Sequence, residues 1–175
     1  TASSSNRSLQ PRSADPTRAD VPPASSLRRL PTPTMAEQIR VLVIDDDDVA
    51  RELLMSTLER GGHTVFELPS AIGATRMLAE HQIDVVVVDV MLPDISGDKL
   101  ARLLRQNPRG SRLGIVLVSS RPLHELTPLA AAADADAVVQ KGQIRTHLVT
   151  TVTSAFLRRK GAVGPPPSRQ RGGGP

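Results

Sequence analysis

Short apolar runs recur along the middle of the chain, and each ends on a polar residue that chemistry can use. Val41-Leu42-Val43-Ile44 leads into Asp45-Asp46-Asp47-Asp48, Val85-Val86-Val87-Val88 into Asp89, Ile115-Val116-Leu117-Val118 into Ser119-Ser120, and Ala137-Val138-Val139 into Gln140-Lys141. A continuous run of this kind is what a strand buried on both faces shows, and parallel sheets bury their strands that way. His63 to Leu68 makes a fifth strand, second in chain order, with a less regular alternation.

Between the runs the period changes from two to 3.6. Val49, Leu53, Leu54 and Leu58 share one face of a helix over 49–60 that Gly61-Gly62 closes. Ser70 is placed to cap a short helix carrying Ala74, Met77 and Leu78. Leu100, Leu103 and Leu104 mark a third helix after the Pro93–Gly97 loop, and it must end before Pro108. A fourth helix over 122–133 contains Pro128, which should kink or shorten it. Ile144, Leu148, Val152, Ala155 and Phe156 keep the helical period to Gly161, which stops the last helix. Strands alternating with helices at this spacing predict an α/β fold, a doubly wound five-stranded parallel sheet with helices on both faces.

Composition changes the picture mainly by where the charge sits. The chain has 175 residues, net charge +4 and two aromatics, Phe66 and Phe156. The basic excess belongs to the ends: residues 39–160 hold 15 basic and 15 acidic side chains, and residues 39–142 alone are net −4. The ends also hold ten of the fifteen prolines, so residues 1–38 and 161–175 read as disordered Pro/Ser/Arg and Pro/Gly/Arg segments flanking a domain at 39–160. Arg169-Gln170-Arg171 followed by glycines is too short and too poor in aromatics for nucleic-acid binding. No apolar run reaches the roughly 18 residues of a membrane span, and none after the N-terminal arginines resembles a secretory signal, which points to a cytoplasmic protein. The first methionine, Met35, stands just before the folded pattern. Residues 1–34 are therefore either a leader or linker ahead of a start near Met35, or part of a longer protein.

Without cysteine, thiolate chemistry, disulfides and Cys-based metal sites are excluded. His63, His81, His124 and His147 are scattered and read as surface or edge residues. The strand ends remain. In a doubly wound sheet the ligand site lies beyond the carboxyl ends of the strands, so Asp45, Asp46, Asp89, Ser119 and Lys141 should converge on one rim. Crowded carboxylates repel unless a cation joins them, and a hard divalent ion such as Mg²⁺ suits two or three carboxylates with water. A carboxylate beside Mg²⁺ and a lysine is a competent acceptor of a phosphoryl group. Asp47 or Asp48 is the natural N-cap of the following helix.

These motifs, in this order, resemble the response-regulator receiver domain of two-component signalling, over residues 40–142. The acidic pair matches Asp45 and Asp46, the phosphoacceptor stretch Asp89-Val90-Met91-Leu92-Pro93-Asp94-Ile95-Ser96-Gly97, the hydroxyl position Ser119, and the lysine Lys141. The resemblance implies a flavodoxin-like strand order 2-1-3-4-5. It implies that Asp89 accepts phosphate from a histidine kinase or phosphotransfer protein and that partner binding then changes. Asp45, Asp46, Asp89 and the backbone carbonyl of Met91 would hold Mg²⁺, with Ser119 and Lys141 contacting the phosphoryl group. Such a receiver is a phosphoacceptor, with at most slow self-dephosphorylation. It would stand alone or belong to a hybrid histidine kinase, and about 15 residues after the last helix are too few for a DNA-binding output domain.

Three positions depart from the family pattern. Val138 stands where an aromatic switch residue is usual, Pro128 falls inside the fourth helix, and Gly142 replaces a proline after the lysine. A cis bond before a non-proline residue costs about 2.5–4 kcal/mol, so Lys141–Gly142 should be trans. The competing class is an enzyme, a Mg²⁺-dependent phosphatase or hydrolase with Asp89 or Asp45 as nucleophile: Asp45-x-Asp47 has the spacing of aspartate-nucleophile phosphatases, though without their cap insertion.

Overall fold

The computed structural model describes residues 38–161, apart from Arg109. The five strands are β1 (Arg40–Ile44), β2 (Thr64–Leu68), β3 (Val85–Asp89), β4 (Gly114–Ser119) and β5 (Ala137–Gln140). They alternate with α1 (Asp48–Arg60), α2 (Ala74–His81), α3 (Gly97–Gln106), α4 (Leu123–Ala132) and α5 (Ile144–Gly161). All pairings are parallel and the strand order is β2-β1-β3-β4-β5, as the resemblance implies. The chain reverses its direction of winding between β1 and β3, and the carboxyl ends of those two strands carry Asp45 and Asp89.

Strand parity divides the core into two layers. Val41, Val43, Val85, Val87, Val116 and Val118 pack with Leu54 and Leu58 of α1 and with Ile144, Leu148 and Val152 of α5. Leu42, Ile44, Val86, Val88, Ile115 and Leu117 face the other way, against Leu100 and Leu104 of α3 and Leu126 of α4. β1, β3 and β4 are buried along almost their whole length because both faces are covered. β2 is an edge strand and only half-buried, which explains its less regular sequence.

At the amino-terminal end of the sheet a polar clamp joins the layers. The buried Asp136 carboxylate accepts from Ile115 N–H (2.8 Å), Arg105 Nη2 (2.7 Å) and Arg159 Nε (2.7 Å). Arg105, at the end of α3, also donates to the carbonyls of Asp134 and Gly110.

Several local expectations need correction. Val49 is 77% exposed, because α1 starts one residue before it and its first turn projects past the sheet. Leu103 is likewise exposed, on the outer side of α3. Ser70 does not cap α2. Its hydroxyl accepts from Ile72 N–H in the preceding turn (3.2 Å), and the helix starts after Gly73, whose φ of 90° a side chain would resist. His63, directly before the edge strand β2, is buried rather than at the surface, with neither ring nitrogen hydrogen-bonded. α4 runs through Pro128 and spans most of the predicted range. Gly161 is the last residue of α5. The described residues contain no cis peptide bond, so Lys141–Gly142 is trans. Apart from Gln38 and Gly161, the segments expected to be disordered lie outside the described residues.

Candidate functional site

The ends of β1, β3, β4 and β5 deliver their polar groups to the same rim, and the edge strand β2 delivers none. β1 ends at Ile44, and the next residue, Asp45, is fully buried. Its Oδ1 accepts the N–H of Asp47 at 3.0 Å, which fixes the carboxylate beneath the turn. Asp46 points outward and is exposed. Asp47 caps α1, accepting from Val49 N–H (2.9 Å) and Ala50 N–H (3.1 Å), and these bonds hold its carboxyl below the usual range. Asp89 ends β3, and its Oδ1 accepts from Met91 N–H at 3.0 Å. Ser119 ends β4, wholly buried, and its Oγ accepts from Arg121 N–H at 3.3 Å.

Lys141 opens a short 3₁₀ turn directly after β5. Its ammonium lies 2.8 Å from Asp45 Oδ2 and 2.8 Å from Asp89 Oδ2. Burial works against the charge on Lys141, but the bonds to Asp45 and Asp89 outweigh it and raise the lysine above its ordinary value. Burial also pushes the Asp45 carboxyl up, and Lys141 and the Asp47 N–H only partly counter it. Asp46, Asp89, Met91, Ser119 and Lys141 line an open cleft of about 470 Å³, together with Asp47, Ser120 and Arg121. All six residues singled out in the sequence therefore meet at one place.

The donor set fits a hard divalent cation. One oxygen from each of Asp45, Asp46 and Asp89 lies within 4.8 Å of the others, with two of the carboxylates buried and one facing solvent. An all-oxygen set with an open side suits Mg²⁺, which keeps several waters. Arg121 and Gln140 escaped the reading of the sequence. The signal for both was their place, two residues past and directly opposite Ser119, but it becomes visible only once β4 and β5 are in register.

Against known proteins, the family model described as response regulator receiver domain matches residues 41–153. The chain belongs to the response-regulator receiver family. It is similar to the transcriptional regulatory protein CseB of Streptomyces avermitilis, 34% identical over 135 residues that cover 77% of this chain and 56% of CseB. It is also 36% identical over 121 residues to the transcriptional regulatory protein AfsQ1 of Streptomyces coelicolor, covering 68% and 51% of the two chains. The crystal structure of a two-component response regulator of the LuxR family from an Aurantimonas species superposes with TM-score 0.63 at 27% identity, covering 70% of this receiver and 87% of that chain. The chain spans about half the length of the curated regulators it matches. It is thus the receiver part of a two-component system, a family in which aspartyl phosphate and Mg²⁺ are typical. Among the described residues no helix is long and apolar enough to cross a membrane.

Proposed function

We propose that this receiver takes a phosphoryl group onto Asp89 from a phosphohistidine of a histidine kinase or phosphotransfer protein, and that the modification changes its binding to a downstream protein. The observation that carries the reading is the grip on Asp89. Its Oδ1 is tied to the Met91 N–H, while Oδ2 meets the Lys141 ammonium in an open cleft beside Asp45 and Asp46. A carboxylate oriented in this way needs no added base, because it is already the nucleophile.

In the transfer a carboxylate oxygen of Asp89 attacks phosphorus, the P–O bond forms as the P–N bond to the donor imidazole breaks, and the imidazole leaves with a proton from solvent. The product is an acyl phosphate. Lys141 stays beside the accepting carboxylate and offsets the charge gathering on the phosphoryl oxygens. Ser119, at the end of the neighbouring strand, supplies a hydroxyl donor to one of them. Mg²⁺ held by Asp45, Asp46, Asp89 and the backbone carbonyl of Met91 would neutralise the equatorial oxygens when bound. Once a phosphoryl group occupies the cleft, Lys141 must divide itself between Asp45 and a new dianion, and the β5–α5 turn that carries it follows. That movement is the source of the altered binding surface.

The alternative of an aspartate-nucleophile phosphatase asks Asp47 to act as an acid, whereas its carboxylate is committed to the α1 cap. Both readings are separated by incubating the chain with acetyl phosphate and Mg²⁺ and resolving it on a phosphate-affinity gel. The expected result is a single base-labile modification in the parent and none in Asp89→Asn. A shift in both proteins or in neither, or sustained turnover of a phosphomonoester, would overturn the assignment.

A further inference from the structure

We propose that Gln140 is a positioning residue that sets the Ser119 hydroxyl in the acidic cleft, acting through the backbone of Arg121. The inference rests on the reading of Asp89 as phosphoacceptor and adds a residue outside the acidic, hydroxyl and lysine set. β4 and β5 pair with Leu117 opposite Val138 and Ser119 opposite Gln140. Side chains two apart on a strand share a face, and Leu117 and Val138 belong to the layer on the α3 and α4 side. Ser119 and Gln140 form the next rung on that face, where the apolar layer ends and the cleft begins.

From that rung two hydrogen bonds run through one residue. The side-chain amide of Gln140 donates from Nε2 to the carbonyl of Arg121 at 3.1 Å. The N–H of the same Arg121 donates to Ser119 Oγ at 3.3 Å. Arg121 precedes Pro122, so its backbone is restricted and cannot readily absorb a turn at one end without passing it to the other. The Arg121 N–H takes one lone pair of Oγ, which leaves the Ser119 O–H free to donate into the cleft that Ser119 lines. Arg121 is exposed and Gln140 half-buried, so without the amide the Arg121 carbonyl would turn to water and the loop would lose its anchor on β5. A hydroxyl held in place before the phosphoryl group arrives is worth more to the transfer than one that must be ordered during it.

The test is a double-mutant cycle on the full chain, reading Asp89 phosphorylation by acetyl phosphate with Mg²⁺. Gln140→Met keeps the shape and removes the donor, and Gln140→Asn keeps an amide that is one methylene too short. In both, the saturating rate should fall about two- to tenfold, the range one hydrogen bond contributes, with the half-saturating concentration unchanged. Ser119→Ala should cost at least as much. In the Ser119→Ala background neither Gln140 variant should slow the reaction further, because the relay has no hydroxyl left to position. A parental rate in both Gln140 variants overturns the relay. So does a Gln140 loss that persists in full without the Ser119 hydroxyl. A parent that takes up no phosphate overturns the phosphoacceptor reading and the relay with it, whereas a phosphorylated parent with either of the two preceding results overturns the relay alone.

Discussion

Replacing Lys141 by methionine removes the cation between Asp45 and Asp89 while keeping most of the buried side-chain stem. Two contacts of 2.8 Å are lost, to a carboxylate that is fully buried and to one that is nearly so. At an effective dielectric constant of about 20 each contact represents roughly 6 kcal/mol of gross attraction. Much of that is offset by the desolvation of the ammonium, which the variant no longer incurs, and the lysine side chain retains 19% exposure. Removing one partner of a buried pair typically costs about 3–5 kcal/mol, and the partial exposure reduces the expectation to about 2–4 kcal/mol. Urea unfolding with EDTA present measures it directly, with an unchanged slope as the check that the transition has not changed character. If the three carboxylates form a cation site, added Mg²⁺ should recover more stability in Lys141→Met than in the parent. At tenfold the dissociation constant the recovery is about 1.4 kcal/mol. A loss below about 0.5 kcal/mol in EDTA would refute the cost assigned to uncompensated carboxylates, and equal Mg²⁺ recovery in both proteins would refute the view that lysine and metal answer the same charge.

Two further outcomes follow from single residues. A Cβ at Gly97 would lie 2.2 Å from the carbonyl oxygen of Asp89 and 2.9 Å from its carbonyl carbon, so Gly97→Ala should destabilise the chain by about 1–3 kcal/mol and slow acetyl phosphate transfer by displacing the acceptor; parental stability with parental rate would contradict it. Burial lowers the pKa of His63 in the folded chain, so the unfolded chain binds the extra proton first and stability should fall as pH drops through and below about 6.5, by at most about 1.4 kcal/mol per unit. His63→Leu should flatten that part of the urea-midpoint profile, and an unchanged slope would assign it elsewhere.

The strands were legible because β1, β3 and β4 are buried on both faces, and a doubly buried strand leaves an unbroken apolar run. The chemical groups were legible for a related reason, since a doubly wound sheet sends whatever follows each run to one rim, so Asp45, Asp89, Ser119 and Lys141 could be placed by their position alone. What stayed hidden depends on geometry that no period encodes. Val49 fits the apolar face of α1 by spacing, yet the cap at Asp47 starts the helix so early that Val49 clears the sheet. Ser70 has the chemistry of a cap, but the chain turns through Gly73 before α2 begins. His63 is a polar residue in a buried place, which composition argues against. Gln140 acquires a role only from the residue that the register sets across from it.

The polar groups divide between the two ends of the sheet in a way that suits a switch. At the amino-terminal end, Asp136 is met by two guanidiniums and a backbone N–H, so its charge is answered within the fold and the ends of α3 and α5 are locked to β4. At the carboxyl end, three carboxylates crowd together while one ammonium bridges Asp45 and Asp89, and Asp45 is held in a place where its own charge is disfavoured by burial. Under the proposed phosphorylation, the excess negative charge at that end would make it the part that responds to cations and to a change of charge on Asp89. Val138 adds a constraint on where the response can go. It has neither a ring to rotate nor a polar group to bond, so on that face of β5 the first side chain able to report on the cleft is Gln140, one rung closer to it.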